Sequence, residues 1–90
     1  MIIAESRPRL AAKARLRLDQ KSNRYLLLYP EHGMILNPTA SDILLLCTGE
    51  QTVAMIIDCL ACRYTAQRRE VIEQEVLGFL HEMVRRGLVL

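Results

Sequence analysis

From residue 15 the chain alternates, with Arg15, Arg17 and Asp19 polar and Leu16 and Leu18 apolar. A period of two predicts a half-buried strand. Lys21-Ser22-Asn23 is a cluster of turn formers. The next run, RYLLLY at 24–29, is apolar on both faces, with Tyr25, Leu27 and Tyr29 on one and Leu26 and Leu28 on the other. Pro30-Glu31-His32-Gly33 predicts a second turn, and MILN at 34–37 a third strand. Connections this short favour an antiparallel meander.

The period then changes. Thr39-Ala40-Ser41-Asp42 fits a capping box just after Pro38, opening a helix that carries Ile43, Leu44, Leu46 and Cys47 and stops at Gly49. Thr52 suits the cap of a second helix from 53 to about 64, with Ile56, Ile57 and Leu60 inward. A third is expected from about 67 to 86, with Arg85 and Arg86 at the carbonyl end of its dipole. Residues 88–90 form a short terminal segment, and 1–9 read as a loose tail. On the third helix Ile72, Val76, Phe79 and Met83 fall within about 60°. Leu77, Leu80, Val84 and Leu88 widen the apolar arc to about 180°, beyond the ~100° of an amphipathic surface helix. That surplus fits either ordinary core or a binding groove. The expected fold is α+β, one domain over 1–90. A three-stranded antiparallel meander is followed by a three-helix bundle, in a winged-helix-like arrangement.

At ninety residues the chain buries roughly 60–65% of its unfolded surface, which gives one modest core and little room for a deep enzyme cavity. Net charge is +2, but unevenly spread: seven of the twelve basic residues (Arg7, Arg9, Lys13, Arg15, Arg17, Lys21, Arg24) precede Tyr25, opposed there by Glu5 and Asp19. A basic end suits an acidic peptide, a protein partner or nucleic acid, and equally an edge strand guarded by charge. The start lacks the form of a signal peptide, and no apolar run reaches the ~18 residues of a membrane span. Three cysteines argue against a disulfide framework. The expected location is the cytoplasm, with no membrane association.

Cys59-Leu60-Ala61-Cys62 has CxxC spacing, but a structural metal site wants four ligands, and only Cys47, His32 and His81 remain. All three cysteines are expected in the core as small hydrophobes, with no metal bound. No phosphate loop, HExxH or Gly-x-Ser-x-Gly motif is present, so no catalysis and no cofactor are expected. The winged-helix-like order raises DNA binding. However, Arg68, Arg69, Arg85 and Arg86 of the third helix are offset by Glu70, Glu73, Glu75 and Glu82, and carboxylates repel phosphates. No nucleic-acid partner is expected.

The order and spacing of Leu27-Leu28-Tyr29-Pro30-Glu31, Leu36-Asn37-Pro38-Thr39-Ala40, Ile43-Leu44, Leu46-Cys47-x-Gly49 and Thr52 resemble the PqqD family of pyrroloquinoline quinone (PQQ) biosynthesis, from Arg7 to Val89. Thr48, where the family often has Asp, and the Lys21-Ser22-Asn23 turn are departures. The resemblance implies a recognition element for a ribosomally made, post-translationally modified peptide (RiPP). Such a protein is a peptide chaperone that binds the PqqA precursor by strand addition and presents it to the radical SAM enzyme PqqE. Carried onto this chain, the peptide site is Met34, Ile35, Leu36 and Asn37 with Leu77, Leu80 and Val84 of the third helix. Arg15, Arg17, Tyr25, Leu27 and Tyr29 are the expected docking surface for the enzyme. The rivals are a leader-recognition module of another modified-peptide pathway and a winged-helix DNA-binding protein. A monomer is expected in the working complex, with a strand-exchanged dimer left open.

Overall fold

The computed structural model describes residues 2–90. Three strands, β1 (Arg15–Asp19), β2 (Arg24–Tyr29) and β3 (His32–Ile35), precede three helices, α1 (Pro38–Leu45), α2 (Val53–Arg63) and α3 (Arg69–Arg85). The sheet is antiparallel in the order β1-β2-β3, as the alternation and short turns predict. One row of cross-strand neighbours, Leu16–Leu27–Met34, faces the helices, and Leu27 is fully buried there.

Two local starts differ from the sequence reading. β3 begins at His32, because the turn is only Pro30-Glu31. Proline fixes a negative φ at the first position, and Glu31 takes the left-handed φ of 66° at the second, the sign pattern of a type II turn. Helix α1 is capped by Asn37, whose Oδ1 accepts the Ala40 amide at 2.8 Å, so that Pro38 takes the favoured first helical position. Asp42 is thereby released from the expected capping box. It accepts from the Tyr64 hydroxyl and pairs with Arg63 at 2.9 Å, tying α1 to the end of α2. The hydrogen bond to Asp42, helped by burial, pushes the Tyr64 pKa up.

Thr52 caps α2 as expected, accepting the Met55 amide at 3.1 Å. Helix α3 ends in a Schellman motif. Gly87, at φ 72°, donates to Val84 at 2.9 Å and Leu88 to Met83 at 2.9 Å, which satisfies two of the last carbonyls. That turn sends Leu88 and Val89 back into the core, both about 1% exposed.

The expected loose tail is held instead. Ser6 and Ala4 carbonyls accept from Val53 and Ala54, Pro8 from Gly49, and Arg9 exchanges bonds with Leu90. Pro8 is fully buried. Backbone pairing with α2 and the C-terminal segment replaces the apolar pattern that the sequence of this stretch lacks. Met1, the first residue of that tail, lies outside the described residues.

The core gathers Leu27, Leu36, Ile43, Leu44, Ile56, Leu60, Val76, Leu80 and Met83 between sheet and helices. Cys47 belongs to it, and burial pushes its thiol up to about 12. Cys59 and Cys62 do not: both are exposed, which corrects the expectation of core cysteines. They lie about 110° and 170° around α2 from the centre of its buried stripe of Val53, Ile56, Ile57 and Leu60; apolar neighbours in sequence are not neighbours on a helix. Two thiols should therefore react promptly with an aromatic disulfide reagent in the folded chain, and the third only after denaturation. Three equally reactive thiols would contradict this placement.

Candidate functional site

Strand β3 is an edge strand, and the ladder fixes which of its amides are free. Leu36 donates to the Tyr25 carbonyl at 2.9 Å, so Tyr25/Leu36 is a hydrogen-bonded pair. Pairs alternate in an antiparallel ladder, so Leu27/Met34 and Tyr29/His32 are bonded too. The amides and carbonyls of Gly33 and Ile35 point away from the sheet. This edge presents main-chain donors and acceptors in the spacing an added strand needs. The other edge, β1, is rimmed by Arg15 and Arg17, side chains of the kind that discourage pairing.

At its C-terminal end β3 runs into an open groove of about 310 Å³ between the start of α1 and the flank of α3. Asn37, Thr39, Ala40 and Ile43 line one side and Glu75 and Phe79 the other, with Gln67 at the end. Ala40 and Ile43 are buried, and Phe79 is half-buried. The groove has an apolar floor and an aromatic wall with polar rims, a lining suited to hold a side chain while its backbone stays wet. It arises because α3 packs on α2 while α1 packs on β2, leaving α1 and α3 splayed beside the strand edge.

The residues expected from the sequence divide. Met34, Ile35, Leu36 and Asn37 all lie along this edge, but with different side-chain fates. Met34 is half-buried toward the core, Leu36 is 2% exposed, Ile35 is 66% exposed on the opposite face, and Asn37 is occupied in capping α1. On α3 the expected residues divide as well. Leu80 is fully buried in the core and has no surface to offer. Leu77 and Val84 are half-buried, about 140–160° around the helix from Phe79 and outside the groove lining. The α3 residues that line the groove are Glu75 and Phe79. The sequence placed Phe79 in the central stripe; only the splay of α1 from α3 opens that flank. The expected docking set also divides. Leu27 is core, Tyr25 and Tyr29 share its face, and only Arg15 and Arg17 point outward.

Elsewhere the chemistry is sparse. Among the described residues no group of three or more His, Cys, Asp or Glu side chains gathers as a metal site, and no helix is long and apolar enough to cross a membrane. The arginines of α3 and its ends are engaged. Arg85 and Arg86 both bond Glu82, holding its carboxyl down near 2. Arg69 pairs with Asp58, and Arg68 with Glu70 at 3.4 Å.

A free strand edge that opens into a shallow, part-apolar groove makes this a small α+β binding module. Residues 24–89 match the family of coenzyme PQQ synthesis protein D, PqqD, and the chain belongs to that family. It is 42% identical over 84 residues to a PqqA binding protein of Rhodopseudomonas palustris (strain TIE-1), covering 93% of this chain and 81% of the relative. It is 34% identical over 82 residues to the bifunctional coenzyme PQQ synthesis protein C/D of Methylorubrum extorquens, covering 91% of this chain and 22% of that longer one. Among solved structures it is similar to the solution NMR structure of the PqqD truncation of Methylobacterium extorquens PqqCD, described as a functional and stand-alone RiPP recognition element. The TM-score is 0.81 at 29% identity, covering all of this chain and 95% of that one.

Proposed function

We propose that this chain is a non-catalytic peptide chaperone of PQQ biosynthesis. It binds the PqqA precursor by strand addition to the outer edge of β3 and presents it to the radical SAM enzyme PqqE in the cytoplasm, as a monomer. The observation that carries the reading is the edge of β3, with the Gly33 and Ile35 amides turned outward and Asn37 leading into the Phe79 groove, in a chain of the PqqD family. Main-chain bonding supplies affinity in this mode and alternate side chains supply register. On a peptide beside β3, residues on the core side would follow Met34 toward the groove, and the others would join Ile35 on the outer face. The rival reading as a DNA-binding protein draws no support from α3, whose arginines are bound to carboxylates.

A titration of isotopically labelled protein with the PqqA peptide tests this residue by residue. Resonances of Gly33, Ile35, Asn37, Glu75 and Phe79 should shift, while those of Cys59 and Cys62 on the far side of α2 stay put. Shifts centred on Leu77 and Val84 without Phe79 would place the peptide on the other flank of α3. Shifts that spare β3 would overturn strand addition.

A further inference from the structure

The sheet has a second face, which the helices do not cover. Reading across the strands, its rows are Arg15–Leu28–Gly33, Arg17–Leu26–Ile35 and Asp19–Arg24. Ile35 is 66% exposed. Leu26 and Leu28 are half-buried, and a Cβ on Gly33 would sit 3.3 Å from Leu28 Cδ2. Leu28 thus leans over the space that glycine leaves. The centre is a flat apolar patch with arginines along one side.

The charges around it are unlike those elsewhere. Arg63, Arg68, Arg69, Arg85 and Arg86 each have a carboxylate within 4.0 Å. Among the described residues, none of the seven basic side chains before Tyr25 appears in such a pair. The one carboxylate on this face, Asp19, is taken locally, accepting from the Ser22 hydroxyl at 2.8 Å and the Lys21 amide at 3.3 Å. Arg15, Arg17 and Arg24 are exposed and therefore make no ion pair with a carboxylate among the described residues, although Arg24 lies opposite Asp19 in the register.

We propose that this outward sheet face is a docking surface for a folded protein partner presenting carboxylates around an apolar centre. Resting on the function proposed above, that partner is the enzyme that acts on the bound peptide. Unpaired arginines beside an exposed aliphatic patch match the anatomy of a protein interface, in which charges at the rim steer and apolar side chains at the centre are buried. A second copy of this chain is the poorer occupant, since the face offers its own three arginines a single carboxylate, Asp19, already held by Ser22 and Lys21. Nucleic acid is poorer too. Leu26, Leu28 and Ile35 would meet phosphates, and the face carries no aromatic ring for base stacking; Tyr25 and Tyr29 lie on the other side. The geometry also joins the two functions, because a peptide strand beside β3 would widen this same face, so that the partner would touch adaptor and peptide together.

The test uses the full chain with Arg15→Glu and Arg17→Glu together, both exposed and separated from β3 by β2, and the purified modifying enzyme as probe. Thermal unfolding should match the parent. Affinity for the enzyme should fall tenfold or more, the parent's loss of affinity with added salt should flatten, and affinity for the precursor peptide should change less than twofold. An Arg15→Lys/Arg17→Lys variant should keep most of the enzyme affinity. Enzyme binding equal to the parent in the charge-reversed variant overturns the docking surface while leaving peptide binding intact. A parent that binds the peptide but shows no affinity for the enzyme overturns the presentation half of the proposed function along with this surface. Duplex DNA bound by the parent and lost in the variant, or a parent dimer dissociated by it, would assign the face to those occupants instead.

Discussion

Leu80→Asp is expected to leave the chain unfolded, whereas Phe79→Asp, one residue away, should fold and lose the peptide. Leu80 is fully buried between Val76 and Met83 in the stripe that α3 presents to the core. Truncating a buried leucine costs about 2–5 kcal/mol, and a carboxylate there has no partner to offset its desolvation, adding several kcal/mol or forcing it to stay protonated. Domains of this kind hold about 5–15 kcal/mol in all. Phe79 is half-buried on the groove wall, where a carboxylate keeps access to water, so the fold should lose no more than about 2 kcal/mol. The peptide would lose its aromatic contact and meet a charge beside Glu75. Circular dichroism with thermal melting, then calorimetric titration of the precursor, separates the two. A folded Leu80→Asp chain, or a Phe79→Asp chain that binds like the parent, would contradict the assignment of the two sides of the helix.

That contrast marks what the sequence can and cannot carry. The period of two at 15–19 and the apolar run at 24–29 reproduce β1 and β2 residue for residue, because alternation is a local property and the register follows from short turns. Thr52 was legible as a cap for the same reason. The groove was not. A 3.6-residue period locates the middle of an apolar arc, but which flank of it meets another helix depends on where α1 packs, and α1 is set by Asn37 and Pro38 at the end of β3. The surplus arc was real, yet Leu80 and Leu88 were absorbed by the core while Phe79 was left at its border. The cysteines of α2 failed similarly, since an apolar stretch does not say which residues turn outward. The N-terminal segment is held largely by main-chain bonds to distant carbonyls and amides, and such bonds leave no side-chain pattern to read. The paired arginines of the helices and the unpaired ones of the hairpin have the same look in composition, and only the fold separates them.

Ile35→Pro should leave a folded protein with precursor affinity lowered at least about fivefold, near the ~1 kcal/mol net worth of one hydrogen bond. Met34→Pro should damage the fold itself. The two residues are adjacent, similar in size and both in β3; the ladder alone distinguishes them. Because Leu36 donates to Tyr25, the Met34 amide faces Leu27 and the Ile35 amide faces outward. Proline deletes an amide and is accepted in a strand only where that amide meets solvent. At Met34 it would leave the Leu27 carbonyl without its donor in a row that ends in the core, costing about 1–3 kcal/mol for the unsatisfied group, with the steric misfit of the ring beyond that. At Ile35 the free chain gives up only a hydration site. An added strand, by contrast, would lose a donor in the middle of its run and meet a pyrrolidine ring where it must approach. Ile35→Ala is the control, since it removes the exposed side chain and keeps the amide. If strand addition is the mode, alanine should bind the precursor nearly as the parent does and proline should not. Equal binding by folded Ile35→Pro and Ile35→Ala variants would mean that the peptide takes no hydrogen bond from this edge, and the β3 site would have to be abandoned.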